Sequence, residues 1–138
     1  GKDDFTKCPN GAPGVETRMP IVFSEGVSKG RLSLNEFAAV TCTNPAKIFG
    51  MYPKKGVLAP GSDADIVLMN PDMEVTITKN ILHENVDYTP YEGIQVKGWP
   101  VMTMVRGQAV VENERLQVPL GFGRYINRKP VKYTELLK

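Results

Sequence analysis

The sequence predicts an α+β chain in which helices come first and strands follow. Three observations carry that expectation. The first third holds a Ser33-x-x-Glu36 capping box with apolar residues at helical spacing behind it. From residue 51 onward the spacing turns to alternation, as in MEVTITK, where Val75 and Ile77 interleave with Thr76 and Thr78. Farther on, VKGWPVMTMVRGQAVVENERL reads as a hairpin that turns at Arg106-Gly107-Gln108.

In chain order, residues 7–18 (KCPNGAPGVETR) form a shaped loop, because proline fixes φ, glycine admits positive φ and Asn10-Gly11 favours a tight turn. Such a loop ordinarily hangs from a scaffold before it, and the expectation is that this scaffold belongs to a longer parent. In residues 19–30, Ile21, Val22, Glu25 and Lys29 suit a helix with one apolar face, closed by Gly30. The next helix starts at the Ser33 box and should bury Leu34, Phe37, Ala38 and Val40. Pro45 should stop it near Thr43 and begin a second short helix that ends at Gly50.

The β portion opens with a turn at Pro60-Gly61 and a short apolar run over residues 65–70, ended by Pro71, with Ile66, Val67, Leu68 and Met69 buried on both faces. In the hairpin Val101, Thr103 and Val105 alternate, and residues 109–112 return. The last stretch, VPLGFGRYINRKPVKYTELLK, is turn-rich with a short helix at its close, an arm that needs something to lie on.

Composition narrows the functional classes. A chain of 138 residues with 41% hydrophobic and 23% charged residues fits one globular domain rather than disorder. Net charge is only +2 and the basic residues are scattered, so nucleic acid and acidic membranes are poor partners. No apolar run approaches the roughly 18 residues of a membrane span. Cys8 and Cys42 lack metal-site spacing and are too few for a disulfide scaffold, which points to reduced thiols and a cytoplasmic setting.

The residues offer no catalytic set of their own. A hydrolytic metal site needs several converging ligands, and His83 is the one histidine; it reads as a surface or hydrogen-bonded structural residue. Asp63 and Asp65 could pair as carboxylates, but a turn that caps backbone N–H groups is the better reading. Cys42 reads as a small core residue. Cys8 lies in the loop, where a lone cysteine is weak evidence for a role. Neither a catalytic residue nor a metal ligand is assigned.

Read together, TNPAKIFGMYPKKGVLAPGSDADIVLMNPD resembles a signature near the C-terminus of the amidohydrolase superfamily. There a helix leaves a (β/α)8 barrel and the chain enters a small β-sandwich through a segment such as residues 56–65. GKDDFTKCPNGAPGVETRMPIVFSEGV, NVDYTPYEGIQVKGWPVMTMVRGQAVV and GFGRYINRKP are similar to the hydantoinase and dihydropyrimidinase branch, over nearly the whole chain. The resemblance implies the end of the barrel (loop and helices) over residues 1–50, part of the β-sandwich over 51–116, and an extended C-terminal tail over 117–138 that packs on a neighbouring subunit of a homotetramer.

It also implies a parent enzyme that opens dihydropyrimidine or 5-substituted hydantoin rings to N-carbamoyl amino acids. Two zinc-type divalent ions bridged by a carboxylated lysine would serve that parent, their ligands all upstream, so this chain binds neither ion and is inactive alone. CPNG resembles the substrate loop after the last barrel strand, whose Asn backbone groups meet the cyclic amide; Asn10 is therefore the substrate-binding position. Ile21, Phe37, Ile48 and Phe49 should pack on elements of the parent and leave an apolar patch on the chain by itself.

Two other readings stand beside this one. Collapsin response mediator proteins resemble the same branch but act as non-catalytic scaffolds; they tend to carry Pro-Glu-Gly where this chain has Pro9-Asn10-Gly11, which favours the enzyme. A free-standing β-module that binds a partner fits less well, since its sheet would present open edges. Allantoinase and dihydroorotase match the NVDYTPYEG and GFGRY stretches less closely.

Overall fold

The computed structural model describes residues 3–8 and 11–131. Helices α1 (Val15–Val22), α2 (Leu34–Ala38) and α3 (Asn44–Ile48) precede a sheet of β1 (Ile66–Thr76), β2 (Gln95–Val105), β3 (Gln108–Glu112) and β4 (Arg115–Leu116). The sheet is an antiparallel meander in the order β1-β2-β3-β4. The expected α+β order therefore holds. The helix proposed at the end of the tail falls on residues 132–138, outside the described residues.

Both helical stretches widen instead of stopping. The expected helix over 19–30 begins earlier, at Val15, and continues past Val22 as a π-helical turn over Phe23–Ser28 before Gly30 turns it with φ +68. The Ser33–Glu36 capping box forms with both reciprocal hydrogen bonds. Pro45, however, does not divide the next helix. A π-helical turn over Ala39–Thr43 joins α2 to α3, loosening the backbone where the Pro45 ring would crowd the preceding turn, and Thr41 donates its hydroxyl to the Phe37 carbonyl at 2.6 Å. Helical structure ends before Gly50, at φ +67.

Pro71 likewise fails to end a strand. β1 runs through it, with the ladder to β2 interrupted between Asn70 and Glu74, and the Asp72 N–H turns to Asn70 Oδ1 at 3.1 Å. An edge strand tolerates this because proline sacrifices no sheet hydrogen bond on its open side. Leu68 is 47% exposed and therefore not buried on both faces.

Two-residue turns close both hairpins. Val105 pairs with Gln108 across Arg106 and Gly107, and Glu112 pairs with Arg115 across Asn113 and Glu114; all four turn residues have positive φ.

The core sits between α1 and the sheet. Ile77, Val96 and Trp99 form its centre, with Ile21, Met73, Val75, Leu82 and Tyr91 packed around them. Phe23 meets Phe37 edge to face at 5.3 Å. Ser24 accepts the Lys97 N–H at 3.0 Å and Ser28 donates to the Lys97 carbonyl at 3.1 Å, so the wide turn satisfies the β2 backbone where β1 has lost register.

Five burial expectations change accordingly. Ile21 and Phe37 already have partners within the chain, whereas Leu34, Ala38 and Val40 face solvent. Ile48 and Phe49 are exposed by 55% and 53%, as expected of positions that lack a cover here.

Several described residues of the tail lie on their own chain, beginning with Gln117, whose N–H donates to the Val110 carbonyl at 2.9 Å. Phe122 offers its carbonyl to Arg106 Nη2 at 2.8 Å and its ring to the same guanidinium at 4.4 Å, and Lys129 donates its N–H to Gly50.

Candidate functional site

The first turn of α1 is tied down by a segment some 67–77 residues later in the chain. Gly14 precedes this turn, and a Cβ there would meet the Tyr91 ring at 3.3 Å, so the backbone passes close against that aromatic face. Tyr88 donates its hydroxyl to the Gly11 carbonyl at 3.2 Å. Glu84 Oε1 accepts the Glu16 N–H at 3.4 Å, capping a helix whose own N-cap residue, Gly14, has no side chain to do so.

His83 completes the attachment. Its backbone N–H and ring Nδ1 each lie 2.7 Å from a Glu16 carboxylate oxygen, and its Nε2 lies 3.0 Å from the Glu114 carbonyl. The Glu16 hydrogen bond, then the Glu114 carbonyl, raise the His83 pKa above its ordinary value against a smaller opposing effect of burial. Thus the loop stretch KCPNGAPGVETR and the stretch NVDYTPYEG, far apart in sequence, meet at one place. Asn10 itself lies outside the described residues.

Beside this attachment, a groove of about 570 Å³ runs between α1 and the sheet. Met19, Trp99, Val101 and Leu116 line it, with Glu16 and His83 at its polar end.

Asp63 and Asp65 converge on Lys55, which the sequence reading missed. Lys55 Nζ lies 3.0 Å from Asp63 and is also hydrogen-bonded to Asp65 Oδ2, while Asp65 Oδ1 accepts the Arg106 N–H at 2.9 Å. The capping role expected of this pair is therefore present at Asp65. Burial works against the Lys55 charge, but the two carboxylates outweigh it and hold its pKa above the usual lysine value. The Lys55 hydrogen bond in turn lowers the Asp63 pKa. Ten residues separate Lys55 from Asp65, and no local periodicity links them, so nothing in the sequence pattern could have joined the three.

Cys42 is exposed, not a core residue, with its sulfur 3.5 Å from the Thr41 hydroxyl. Among the described residues no three His, Cys, Asp or Glu side chains are grouped to hold a metal ion, so these residues do not fit the metal pair that the resemblance implies for the parent. Also among them, no helix is long and apolar enough to cross a membrane.

This α+β arrangement, with a proline- and glycine-shaped loop fastened before α1, matches a described family. The amidohydrolase family model covers residues 9–110, and the chain belongs to that family. A D-hydantoinase of Geobacillus stearothermophilus is 46% identical over 137 residues, which is 99% of this chain and 29% of that protein. The structure of a dihydropyrimidinase from Brevibacillus agri NCHU1002 superposes with a TM-score of 0.91 at 51% identity, over 96% of this chain and 29% of the other. An L-hydantoinase (dihydropyrimidinase) from Arthrobacter aurescens gives 0.84 at 43% identity, over 91% of this chain and 28% of its own. The chain thus spans less than a third of the length of these relatives.

Proposed function

We propose that this chain is the C-terminal part of a cyclic amide hydrolase that opens dihydropyrimidine or 5-substituted hydantoin rings to N-carbamoyl amino acids. Residues 1–50 are then the end of its barrel domain, 51–116 part of a β-sandwich, and 117–138 a tail near a subunit interface of a homotetramer. The observation that carries the reading is the similarity to the dihydropyrimidinase over 96% of the chain.

In this reading the chain contributes a loop whose Asn10 backbone groups hydrogen-bond the ring amide, while two zinc-type ions and their bridging carboxylated lysine belong to the remainder of the enzyme. D- and L-hydantoinases share this region, which suits recognition of the ring amide common to their names rather than of the ring substituent. A backbone contact depends on loop shape more than on the side chain at position 10.

The test is a chimera in which this chain replaces the matched part of the Geobacillus stearothermophilus D-hydantoinase. It should open dihydrouracil or hydantoin, whereas the 138-residue chain alone should open neither. A folded, metal-loaded chimera that leaves both rings intact overturns the proposal.

A further inference from the structure

The two ring nitrogens of His83 both face acceptors. Nδ1 lies 2.7 Å from Glu16 Oε1 and Nε2 lies 3.0 Å from the Glu114 carbonyl oxygen. A neutral imidazole carries one N–H and can satisfy only one of them; the imidazolium satisfies both. The charged groups facing this ring are Glu16 from α1 and Glu114 from the turn between β3 and β4, with Glu84 next to it on its own segment.

Glu16 is bound twice over, since the His83 backbone N–H holds its second oxygen at 2.7 Å, and its own N–H is capped by Glu84. Glu16 thus takes two contacts of equal length from His83, one from a backbone N–H that does not titrate and one from a ring nitrogen whose hydrogen bond is stronger when the ring is charged.

We infer that His83 is a positioning residue whose imidazolium form clamps the first turn of α1, and with it residues 11–14, so that deprotonation of the ring loosens this attachment. This inference rests on the ring-opening reading only for its consequence: a loosened loop would present Asn10 less well. The clamp itself stands on this chain's geometry. His83 touches α1 through Glu16 and the β3–β4 turn through Glu114 from its own place in the 82–93 segment, so its protonation is felt by all three.

The single histidine of the chain makes the test direct, because its ring protons give one unambiguous NMR titration. On the 138-residue chain the midpoint should lie above the ordinary 6.5, and the amide resonances of Gly11, Gly14 and Glu16 should move with the same midpoint. Glu16→Gln should bring the midpoint down toward 6.5, and His83→Gln should abolish the movement of the three amides, with the Ile77 and Val96 amides reporting that each variant stays folded.

A midpoint at or below 6.5, or loop amides that do not follow the ring, overturns the inference. Should a variant unfold, the titration of the unaltered chain decides alone. In the chimera, His83→Gln should raise KM several-fold below the midpoint and leave it unchanged above, with kcat unaffected; an equal effect at every pH would mean a merely structural residue and also overturns it. Ring opening without the titration sinks the clamp and leaves the function standing, and the titration without ring opening does the reverse.

Discussion

Lys129 donates its backbone N–H to the Gly50 carbonyl at 2.9 Å, and a Cβ on Gly50 would sit 2.0 Å from the Lys129 carbonyl oxygen. The tail thus crosses the end of the helical segment at a glycine, where no side chain stands in its way. Gly50 also has φ +67, a conformation that alanine adopts only with strain.

Gly50→Ala should therefore cost about 1–3 kcal/mol and lift the tail. Chemical denaturation measures the first effect, and faster tryptic cleavage at Arg124 and Arg128 the second. Gly61→Ala is the control, because Gly61 has φ +90 with nothing within 4 Å, so it shares the strain and lacks the collision. Equal behaviour of the two variants, or an unchanged tail in Gly50→Ala, would show that the tail is not held there.

A second close approach locks the helical layer to the sheet. A Cβ on Gly98 would lie 2.1 Å from the Phe23 ring, and Gly98 has φ +101 in the middle of β2. Gly98→Ala should destabilise the chain by about 1–3 kcal/mol or more, since both the ring and the Ser24 and Ser28 contacts at Lys97 must shift. Fluorescence of the lone Trp99, which neighbours this contact, follows the change; an unaltered spectrum and midpoint would count against the packing described.

The Lys55 network predicts an acid response with a definite sign. The folded Asp63 pKa lies below its ordinary 3.8, so its contribution is present above 3.8 and disappears as pH falls through the lowered value. Lys55→Met should lower stability at pH 7, because two carboxylates then face each other without a cation, and should flatten the loss of stability below pH 3.8. Parallel pH–stability curves for the two proteins would show that the network does not carry the linkage.

The capping box at Ser33 and the strand alternation around Ile77 were legible because each depends on residues within one or two turns of each other. The hairpin turn at Arg106-Gly107 was legible for the same reason. Pro45 and Pro71 misled: each does remove a hydrogen bond, but a widened helical turn and an edge position absorbed the loss. Nothing local records either compensation.

The sequence by itself determined the order of elements and the family, since these follow from short-range pattern and from motifs in a fixed order. Only the tertiary structure decided that His83, Glu84, Tyr88 and Tyr91 fasten residues 11–17, that Lys55 stands between Asp63 and Asp65, and that Phe37 finds its partner in Phe23. The physical reason is that hydrogen bonds and ring contacts act over a few ångströms of space. Which distant residues come that close is fixed by how the helices lie on the sheet.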